Sequence, residues 1–375
     1  MYRRQTQKII EDLDKKMVFI IGPRQAGKTW LAKEIGKSFH NSAYLNYDHF
    51  EDREIIKKES WPRNTDLLIL DELHKMKGWK NYLKGIFDTK NDKLKILVTG
   101  SARLNTFRQS GDSLAGRFYL HRLMPFSIAE LNSNNFEDDD KILRLIKRGG
   151  FPEPFLARAD EEAERWRMQY LDGLIRTDIL DFETIHNFKA IHTVLELLRR
   201  KVGSPVSYSS IAEDVQISPI TVKRYIDIFE ALFIVFKVTP YAKNIARSIL
   251  KEPKIYFFDN GLVVGDEGAM FENFMAVSLL KHIFGKADYT GEKLELKYLR
   301  TKDGKEVDFA IVKDDKIIEL VEAKTADGDL SKNILYFSSR YGLKGVQAVR
   351  DLKKEKSIGD IDILLAENYL KGLFM

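Results

Sequence analysis

The stretch Gly22-Pro23-Arg24-Gln25-Ala26-Gly27-Lys28-Thr29 decides the fold of the N-terminal part, because it matches the pattern GxxxxGK(S/T). A fully apolar run, MVFIIG at 17–22, precedes it, and a helical segment that includes Trp30 follows it. In this setting the glycines let backbone N–H groups surround a phosphate chain, and the start of the helix adds a partial positive charge. The sequence therefore predicts a nucleotide-binding loop between a strand and a helix.

The residues of this loop have expected roles. Lys28 would reach the β- and γ-phosphates of ATP, and the Thr29 hydroxyl would hold Mg²⁺. The predicted nucleotide contacts in this stretch are Gly22, Pro23, Arg24, Gln25, Ala26, Gly27, Lys28, Thr29 and Trp30. ATP and Mg²⁺ are thus the expected ligand and cofactor.

Two carboxylates, Asp71 and Glu72, follow the apolar strand pattern at 67–70. Ligands of α/β sheets bind at the carboxyl ends of the strands, where these two side chains would lie. Asp71 would bind Mg²⁺ through water, and Glu72 would polarise the attacking water. The alternative interpretation is a solvated turn after a strand.

A third strand pattern, at 94–98, ends in Thr99-Gly100-Ser101. A hydroxyl group here would lie between the other two strand ends and could contact the γ-phosphate or the attacking water. We favour Ser101 for this role and keep Thr99 as the alternative.

Arg117 lies at the start of the fifth strand pattern, which covers residues 117–125. Ring-forming ATPases place an arginine finger before their fifth strand, where its guanidinium stabilises the transition-state charge at a neighbouring subunit. This position makes Arg117 the finger candidate, with Arg103 and Arg108 as rivals, and it predicts a homo-oligomer.

Composition narrows the class of protein. The 375 residues carry 61 basic and 56 acidic side chains and no cysteine. The absence of cysteine excludes a disulfide framework, a cysteine-based zinc site and thiol chemistry. No apolar run approaches the length of a membrane span, and the N-terminus lacks the apolar core of a signal peptide. We therefore expect a cytoplasmic protein without a membrane partner.

The chain divides by pattern into three predicted domains. Residues 1–135 alternate apolar strands with helices, which indicates an α/β domain with a mostly parallel sheet. Residues 141–250 are mainly helical, and residues 251–375 mix strands and helices again. The polar segment at 133–140 is the predicted linker.

The middle domain contains a predicted helix-turn-helix with following strands at 207–238. A turn at 216–218 separates a short helix from a longer one, for which Ser218 is a natural N-cap and Pro219 the first residue. Ile220 is assigned to the apolar stripe of the longer helix, whereas Lys223 and Arg224 are expected to face solvent. With the strands that follow, this pattern outlines a winged helix, which either contacts DNA or closes on nucleotide.

The C-terminal domain contains a candidate hard-cation site. Asp308 lies in one strand pattern, and Glu322 and Lys324 share a face of the next. Their carboxylates would hold Mg²⁺ or Mn²⁺, and the lysine would position or activate water for phosphodiester attack. Glu272 could supply a further oxygen, and Glu306 is the fallback for Asp308. A solvated strand face with alternating charge is the alternative.

These motifs resemble a known family. GPRQAGKTWL, LLILDELHKMKGW, VTGSARLN, SLAGRFYLHRLMPFSIAEL and GGFPEPF are similar to segments of prokaryotic AAA-type ATPases that end in a conserved domain of unknown function. The resemblance implies an AAA+-like sheet with an extra strand between the P-loop strand and the Asp71 strand, a winged-helix lid and a restriction-endonuclease-like domain. The acids at 308 and 322 and the lysine at 324 match the signature positions of PD-(D/E)xK nucleases.

The resemblance also assigns roles in the middle region. Residues 149–152 resemble the glycine–proline turn of related signalling ATPases, so that Pro152 would pack against bound nucleotide. No clear sensor arginine is present in the lid, and Arg176 is only a candidate.

Two functions follow as hypotheses. In the first, ATP hydrolysis moves the winged helix and controls a metal-dependent nuclease-like domain that acts on DNA. In the alternative, the C-terminal domain is inactive as a nuclease and serves as a binding module of an ATP-driven switch or a DNA-binding regulator.

Overall fold

The computed structural model describes residues 3–100, 114–134, 136, 140–175, 187–242, 252–326 and 329–375. The chain forms two compact units, Met1–Met124 and Pro125–Met375. Within the described ranges, no helix is both long enough and apolar enough to cross a membrane.

The first unit is built on a five-stranded sheet in which every pairing is parallel. Its strands, in the spatial order β2-β3-β4-β1-β5, are β1 (Met17–Ile21), β2 (Ser42–Asn46), β3 (Leu67–Asp71), β4 (Lys95–Gly100) and β5 (Phe118–Arg122). Strands β1 and β3 are buried along their whole length, as expected for apolar runs in the middle of a parallel sheet. The parallel α/β fold is confirmed, and β4 is the extra strand between the P-loop strand and the Asp71 strand.

Helices cover this sheet and place the loop. They are α1 (Gln5–Leu13), α2 (Lys28–Gly36), α3 (Phe50–Lys58) and α4 (Trp79–Thr89). The apolar faces of α1 and α2 pack with the central strands in one buried cluster that includes Ile9, Leu31 and Val18. The strand–loop–helix order of β1 and α2 puts residues 22–27 at the carboxyl edge of the sheet.

The second unit begins with helices and ends around a larger sheet. Its helices are α5 (Ile128–Ser133), α6 (Lys141–Arg148), α7 (Pro152–Leu156), α8 (Asp160–Gly173), α9 (Phe188–Arg199), α10 (Tyr208–Val215), α11 (Pro219–Ala231), α12 (Glu267–Thr290), α13 (Lys332–Tyr341) and α14 (Ala366–Lys371). Its strands are β6 (Val235–Pro240), β7 (Lys254–Phe257), β8 (Leu294–Arg300), β9 (Glu306–Lys313), β10 (Lys316–Ala326), β11 (Gly345–Asp351), β12 (Lys356–Ile358) and β13 (Ile361–Leu365). They form one sheet in the order β12-β13-β11-β10-β9-β8-β6-β7.

The unit boundaries differ from the predicted domain boundaries. The first unit ends at Met124 rather than near residue 135, because the Phe126 N–H donates to the Gly150 carbonyl within the second unit. The predicted boundary at residue 250 falls between β6 and β7, which pair with each other, while β6 also pairs with β8. Pairing between distant strands thus joins the predicted middle and C-terminal domains in one sheet.

The helix-turn-helix prediction matches α10 and α11 in position. Gln216 ends α10 in the left-handed conformation, with φ of 59°, and the Ser218 hydroxyl caps α11 by accepting from the Thr221 N–H at 3.1 Å. The assignment of Ile220 to the apolar stripe is wrong. Its side chain is 81% exposed, because it lies in the first turn, ahead of the buried stripe that starts at Val222.

Gly149 shows a close approach inside the second unit. Its φ is +74°, and a Cβ atom there would lie 1.9 Å from Oδ1 of Asp259. Asp259 is buried and accepts from Arg167 Nε at 2.9 Å. A side chain at this position would therefore disturb a buried ion pair as well as strain the backbone.

We expect Gly149→Ala to lower the free energy of unfolding of the second unit by at least about 2 kcal/mol. Urea denaturation followed by circular dichroism measures the change. Gly173→Ala is the matched control, since nothing lies within 4 Å of a Cβ at that helical position. Equal stability of the two variants would contradict the role given to Gly149.

Candidate functional site

The nucleotide loop owes its shape to residues that few side chains could replace. A Cβ atom on Gly22 would lie 2.2 Å from the Leu123 carbonyl oxygen, so β5 leaves room only for glycine. Gln25 and Gly27 have φ of 59° and 93°, and these left-handed turns bring the chain back to start α2 at Lys28. The loop is therefore a compact curl at a helix N-terminus, the arrangement that binds phosphate groups.

Lys28 lies across this curl. Its side chain is buried, and its ammonium donates to the carbonyl oxygens of Gly22 at 3.0 Å and Pro23 at 2.6 Å. The loop thus holds a positive charge beside its own backbone, and the predicted contact of Lys28 with phosphate stays a prediction.

Asp71 is the centre of a hydroxyl network. Its carboxylate is 3% exposed and accepts hydrogen bonds from Thr29 Oγ1 at 2.8 Å, Tyr44 Oη at 2.8 Å and Thr99 Oγ1 at 2.5 Å. These donors come from α2, β2 and β4, while Asp71 ends β3. The structure therefore brings together the two residues predicted to hold Mg²⁺, Thr29 and Asp71.

Glu72 is held in an unusual backbone conformation beside this network. Its φ is 56°, and its N–H donates to the Thr99 carbonyl at 3.1 Å. Its carboxylate lies 3.5 Å from His74 Nε2 and 3.9 Å from Lys75 Nζ. Burial, and then the charge of Asp71, raise the pKa of Glu72 above its ordinary value.

The hydroxyl candidates on the third strand can be compared only in part. Thr99 is fully buried and contacts Asp71. Ser101, the favoured candidate, lies outside the described residues, as do Arg103, Arg108 and Arg176. The role proposed for Ser101 therefore stays a prediction, and Thr99 is the hydroxyl that the structure places in the network.

Arg117 lies at the opposite edge of the sheet from the loop. Its carbonyl accepts from the Met17 N–H, at the start of β1. Its guanidinium makes two hydrogen bonds to Asp88 on α4, at 2.9 and 3.1 Å. Within one chain Arg117 is thus remote from the loop that follows the other end of β1, so its finger role stays a prediction that concerns a second subunit.

Two further predicted nucleotide contacts can be located. Trp30 points outward from the first turn of α2, with 45% of its surface exposed. Pro152 is the first residue of α7 in the second unit, and its contact with nucleotide stays a prediction.

Sequence reasoning missed Arg3. Its buried guanidinium donates to the carbonyl oxygens of Met124 at 2.5 Å and of Ala26, in the loop, at 3.3 Å. Nothing in the sequence around Arg3 marks it, because it contacts backbone atoms and belongs to no motif.

The predicted acids and lysine of the C-terminal region also converge. The Asp308 carboxylate on β9 accepts from the Ala323 N–H at 2.9 Å, and Lys324 lies 3.0 Å from Glu322 on β10. Glu322 also accepts from Ser331 Oγ at 3.1 Å. Burial, and then the charge of Asp308, raise the pKa of Glu322 to about 7.

Lys254, which sequence reasoning missed, lies among these acids. Its side chain is 1% exposed, and its ammonium is 2.7 Å from Glu306, 3.0 Å from Glu272 and 3.9 Å from Asp308. The hydroxyl of Tyr256 also donates to Glu272, at 2.6 Å. Burial, and then Asp308, raise the pKa of Glu272 to about 7 despite the nearby ammonium.

This arrangement does not fit the divalent cation predicted from Asp308, Glu322 and Glu272. The described residues contain no group of three or more acidic or histidine side chains disposed to hold a metal ion. An ammonium already lies against two of these acids, Glu272 and Asp308, and against the fallback ligand Glu306.

Family models cover most of the chain in three segments. Residues 14–132 match an AAA domain, residues 139–268 match a domain of unknown function, DUF8612, and residues 267–366 match another, DUF4143. The first match spans β1–β5 and the nucleotide loop.

The related proteins are uncharacterized. One from Mycobacterium tuberculosis is 26% identical over 248 residues, which are 66% of this chain and 55% of that protein. This chain therefore spans about half the length of that relative. One from Haemophilus influenzae is 24% identical over 97% of this chain and 96% of its own length.

Two solved structures resemble this chain at low sequence identity. A Walker-type ATPase of Pyrococcus abyssi is 14% identical and covers 70% of this chain and 95% of its own, with a TM-score of 0.46. RuvB of Thermotoga maritima is 17% identical and covers 63% of this chain and 88% of its own, with a TM-score of 0.32.

Proposed function

We propose that this chain, which is an ATPase of the P-loop, AAA-like kind, hydrolyses ATP at residues 22–29 with Asp71 and Glu72. The observation that carries the proposal is the convergence of Lys28, Thr29 and Asp71 at the carboxyl edge of the first sheet. ATP hydrolysis requires a carboxylate, a hydroxyl and an ammonium group beside a phosphate-binding loop. The three residues supply these groups.

The donor atoms of this site fit Mg²⁺. The Thr29 hydroxyl and the Asp71 carboxylate lie 2.8 Å apart, and both supply the hard oxygen atoms that Mg²⁺ prefers. These two residues would hold the ion. When bound, Mg²⁺ neutralises negative charge on the phosphates.

In the proposed reaction, Lys28 binds the β- and γ-phosphate oxygens and Glu72 orients a water molecule. The water oxygen attacks the γ-phosphorus, the bond to the β–γ bridging oxygen breaks, and ADP leaves. Glu72 accepts a proton from the water, and inorganic phosphate forms. The raised pKa of Glu72 suits this role, because a carboxylate with a higher proton affinity is a stronger base.

We expect Lys28→Ala to lose ATP binding and Glu72→Gln to lose turnover while ATP still binds. Only ionised Glu72 acts as a base, so the raised pKa should place the acidic limb of the wild-type kcat/KM profile, which reports the free enzyme, above the ordinary range of a glutamate. Phosphate release from pH 4 to 8 and binding of a fluorescent ATP analogue measure these effects. Lys37→Ala is the control, since Lys37 is exposed at the opposite end of the same helix. Wild-type turnover in either variant would refute the proposal.

Arg117 is proposed to act on the ATP site of a second copy of the chain. Arg117→Ala should lower turnover, whereas Asp88→Ala breaks the same ion pair and should not. Mixing Arg117→Ala with Lys28→Ala should restore turnover, because one chain then supplies an intact loop and the other an intact arginine. Phosphate release from the mixture, and turnover per subunit against protein concentration, measure this. No recovery on mixing would contradict a role between subunits.

DNA binding by the middle region is a second candidate function. The elements run in the order α9, a bridge at Pro205, α10, α11, β6 and β7, and Pro205 pairs with Lys254 of β7. Helix, strand, two helices and a two-stranded wing make up the order of a winged helix, which supports the proposal. Near the start of α11, Lys223 and Arg224 are exposed, and such a helix enters the major groove in winged helices.

We expect the double variant Lys223→Ala and Arg224→Ala to weaken DNA binding and to reduce its salt dependence. The steepness of a plot of the logarithm of the DNA-binding constant against the logarithm of salt concentration should fall by up to about 2. Each lost phosphate contact lowers this steepness by about 0.9. Fluorescence anisotropy at several salt concentrations measures the slope. The control is a double variant of Lys189, exposed on α9, and Arg200, exposed directly after it, which removes the same charge. Equal losses in both double variants would refute α11 as the contact.

Cleavage of DNA by the C-terminal region stays a prediction of the resemblance. The alternative, a binding module controlled by the ATP state, is the one that the position of Lys254 favours.

A further inference from the structure

The carboxylate cluster of the second unit consists of Glu272, Glu306, Asp308 and Glu322 with the ammonium groups of Lys254 and Lys324. We infer that Lys254 is the resident cation of this cluster and occupies the position that a divalent metal would otherwise take. The inference goes beyond ATP hydrolysis and does not depend on it.

The Lys254 ammonium is surrounded by carboxylate oxygens at hydrogen-bond distance, as a bound cation would be. Its ammonium has three N–H donors, and carboxylate oxygens of Glu306 and Glu272 lie 2.7 and 3.0 Å away, with Asp308 at 3.9 Å. The Tyr298 ring lies on a further side, with its centroid 5.5 Å from the same nitrogen. A buried ammonium is tolerated only with such partners, so the acids and the lysine stabilise each other.

The backbone around Lys254 keeps the ammonium in place. Lys254 pairs with Val238 of β6 and also forms the bridge to Pro205. These two pairings fix the backbone of Lys254 beside the cluster, and the carboxylates of Glu306 and Glu272 hold the ammonium itself. A metal ion that binds the same acids would therefore meet a second positive charge at close range, which is strongly unfavourable in a buried site.

The acids are also held for this partner. Glu272 accepts from Tyr256 with the same oxygen that faces Lys254. Asp308 accepts from a backbone N–H. These contacts leave Glu272 and Asp308 little freedom to turn toward a different cation.

Glu322 has one carboxylate oxygen without a hydrogen-bond partner among the described residues, but this oxygen alone does not make a metal site. Its Oε1 atom is engaged by Lys324 and Ser331, whereas its Oε2 atom is buried without a hydrogen-bond partner among the residues described. One oxygen atom is far from the six-ligand octahedron of Mg²⁺. The cluster thus joins β7, α12 and β9 through an internal cation.

The experiment measures Mn²⁺ binding by electron paramagnetic resonance without nucleotide, in a Thr29→Ala background that removes a ligand of the ATP site. The chain with Lys254 should show no Mn²⁺ binding that depends on Asp308. Lys254→Met should gain one Mn²⁺ site, with an affinity at least tenfold higher than any Mn²⁺ binding by the chain that keeps Lys254. Adding Asp308→Asn to Lys254→Met should abolish this site. Lys237→Met is the matched control, because Lys237 is ion-paired on β6 with acids outside the cluster.

Two results would overturn the inference. One is Mn²⁺ binding, or Mn²⁺-dependent DNA nicking, by the chain with Lys254 that disappears in Asp308→Asn. The other is a folded Lys254→Met variant that gains no site. If Lys254→Met fails to fold, the test rests on Mn²⁺ binding by the chain with Lys254 and by its Asp308→Asn variant. Equal binding by these two supports the inference, and weaker binding by Asp308→Asn overturns it. ATP turnover plays no part in either measurement, so failure here is distinct from failure of the ATPase proposal.

Discussion

The buried carboxylate of Asp71 is the interaction on which the first unit depends. A carboxylate that is 3% exposed needs hydrogen-bond donors, and three hydroxyl groups from α2, β2 and β4 supply them. The same contacts fix Thr29 at the loop and hold the end of β3 beside β4. One carboxylate therefore holds both the edge of the sheet and the Thr29 side chain at the loop.

Much of the first unit could be predicted because its signals are local. The loop motif and the apolar run before it lie next to each other in sequence, and the acids at 71 and 72 directly follow a buried strand. The choice of hydroxyl was harder. Thr99 and Ser101 are two residues apart at a strand end, and only the packing of β4 beside β3 puts Thr99 against Asp71.

The second unit shows why the rest could not be predicted. Lys254 has no motif around it, and its partners come from α12 and β9, which are distant in sequence. The predicted boundary at residue 250 rests on the local pattern of helices and strands, which carries no information about β7 pairing with β6. Ile220 was misassigned because helical periodicity does not reveal that the first turn of α11 extends past its packing partners.

The Arg3 guanidinium connects the loop to the point where the chain leaves the first unit. It holds the carbonyl of Ala26 with one contact and that of Met124 with another. A shift of Ala26 on nucleotide exchange would either stretch one of these contacts or move Met124 with it. The N-terminal residues thus tie the phosphate loop to the last residue of the first unit through contacts that lie outside the strands of the sheet.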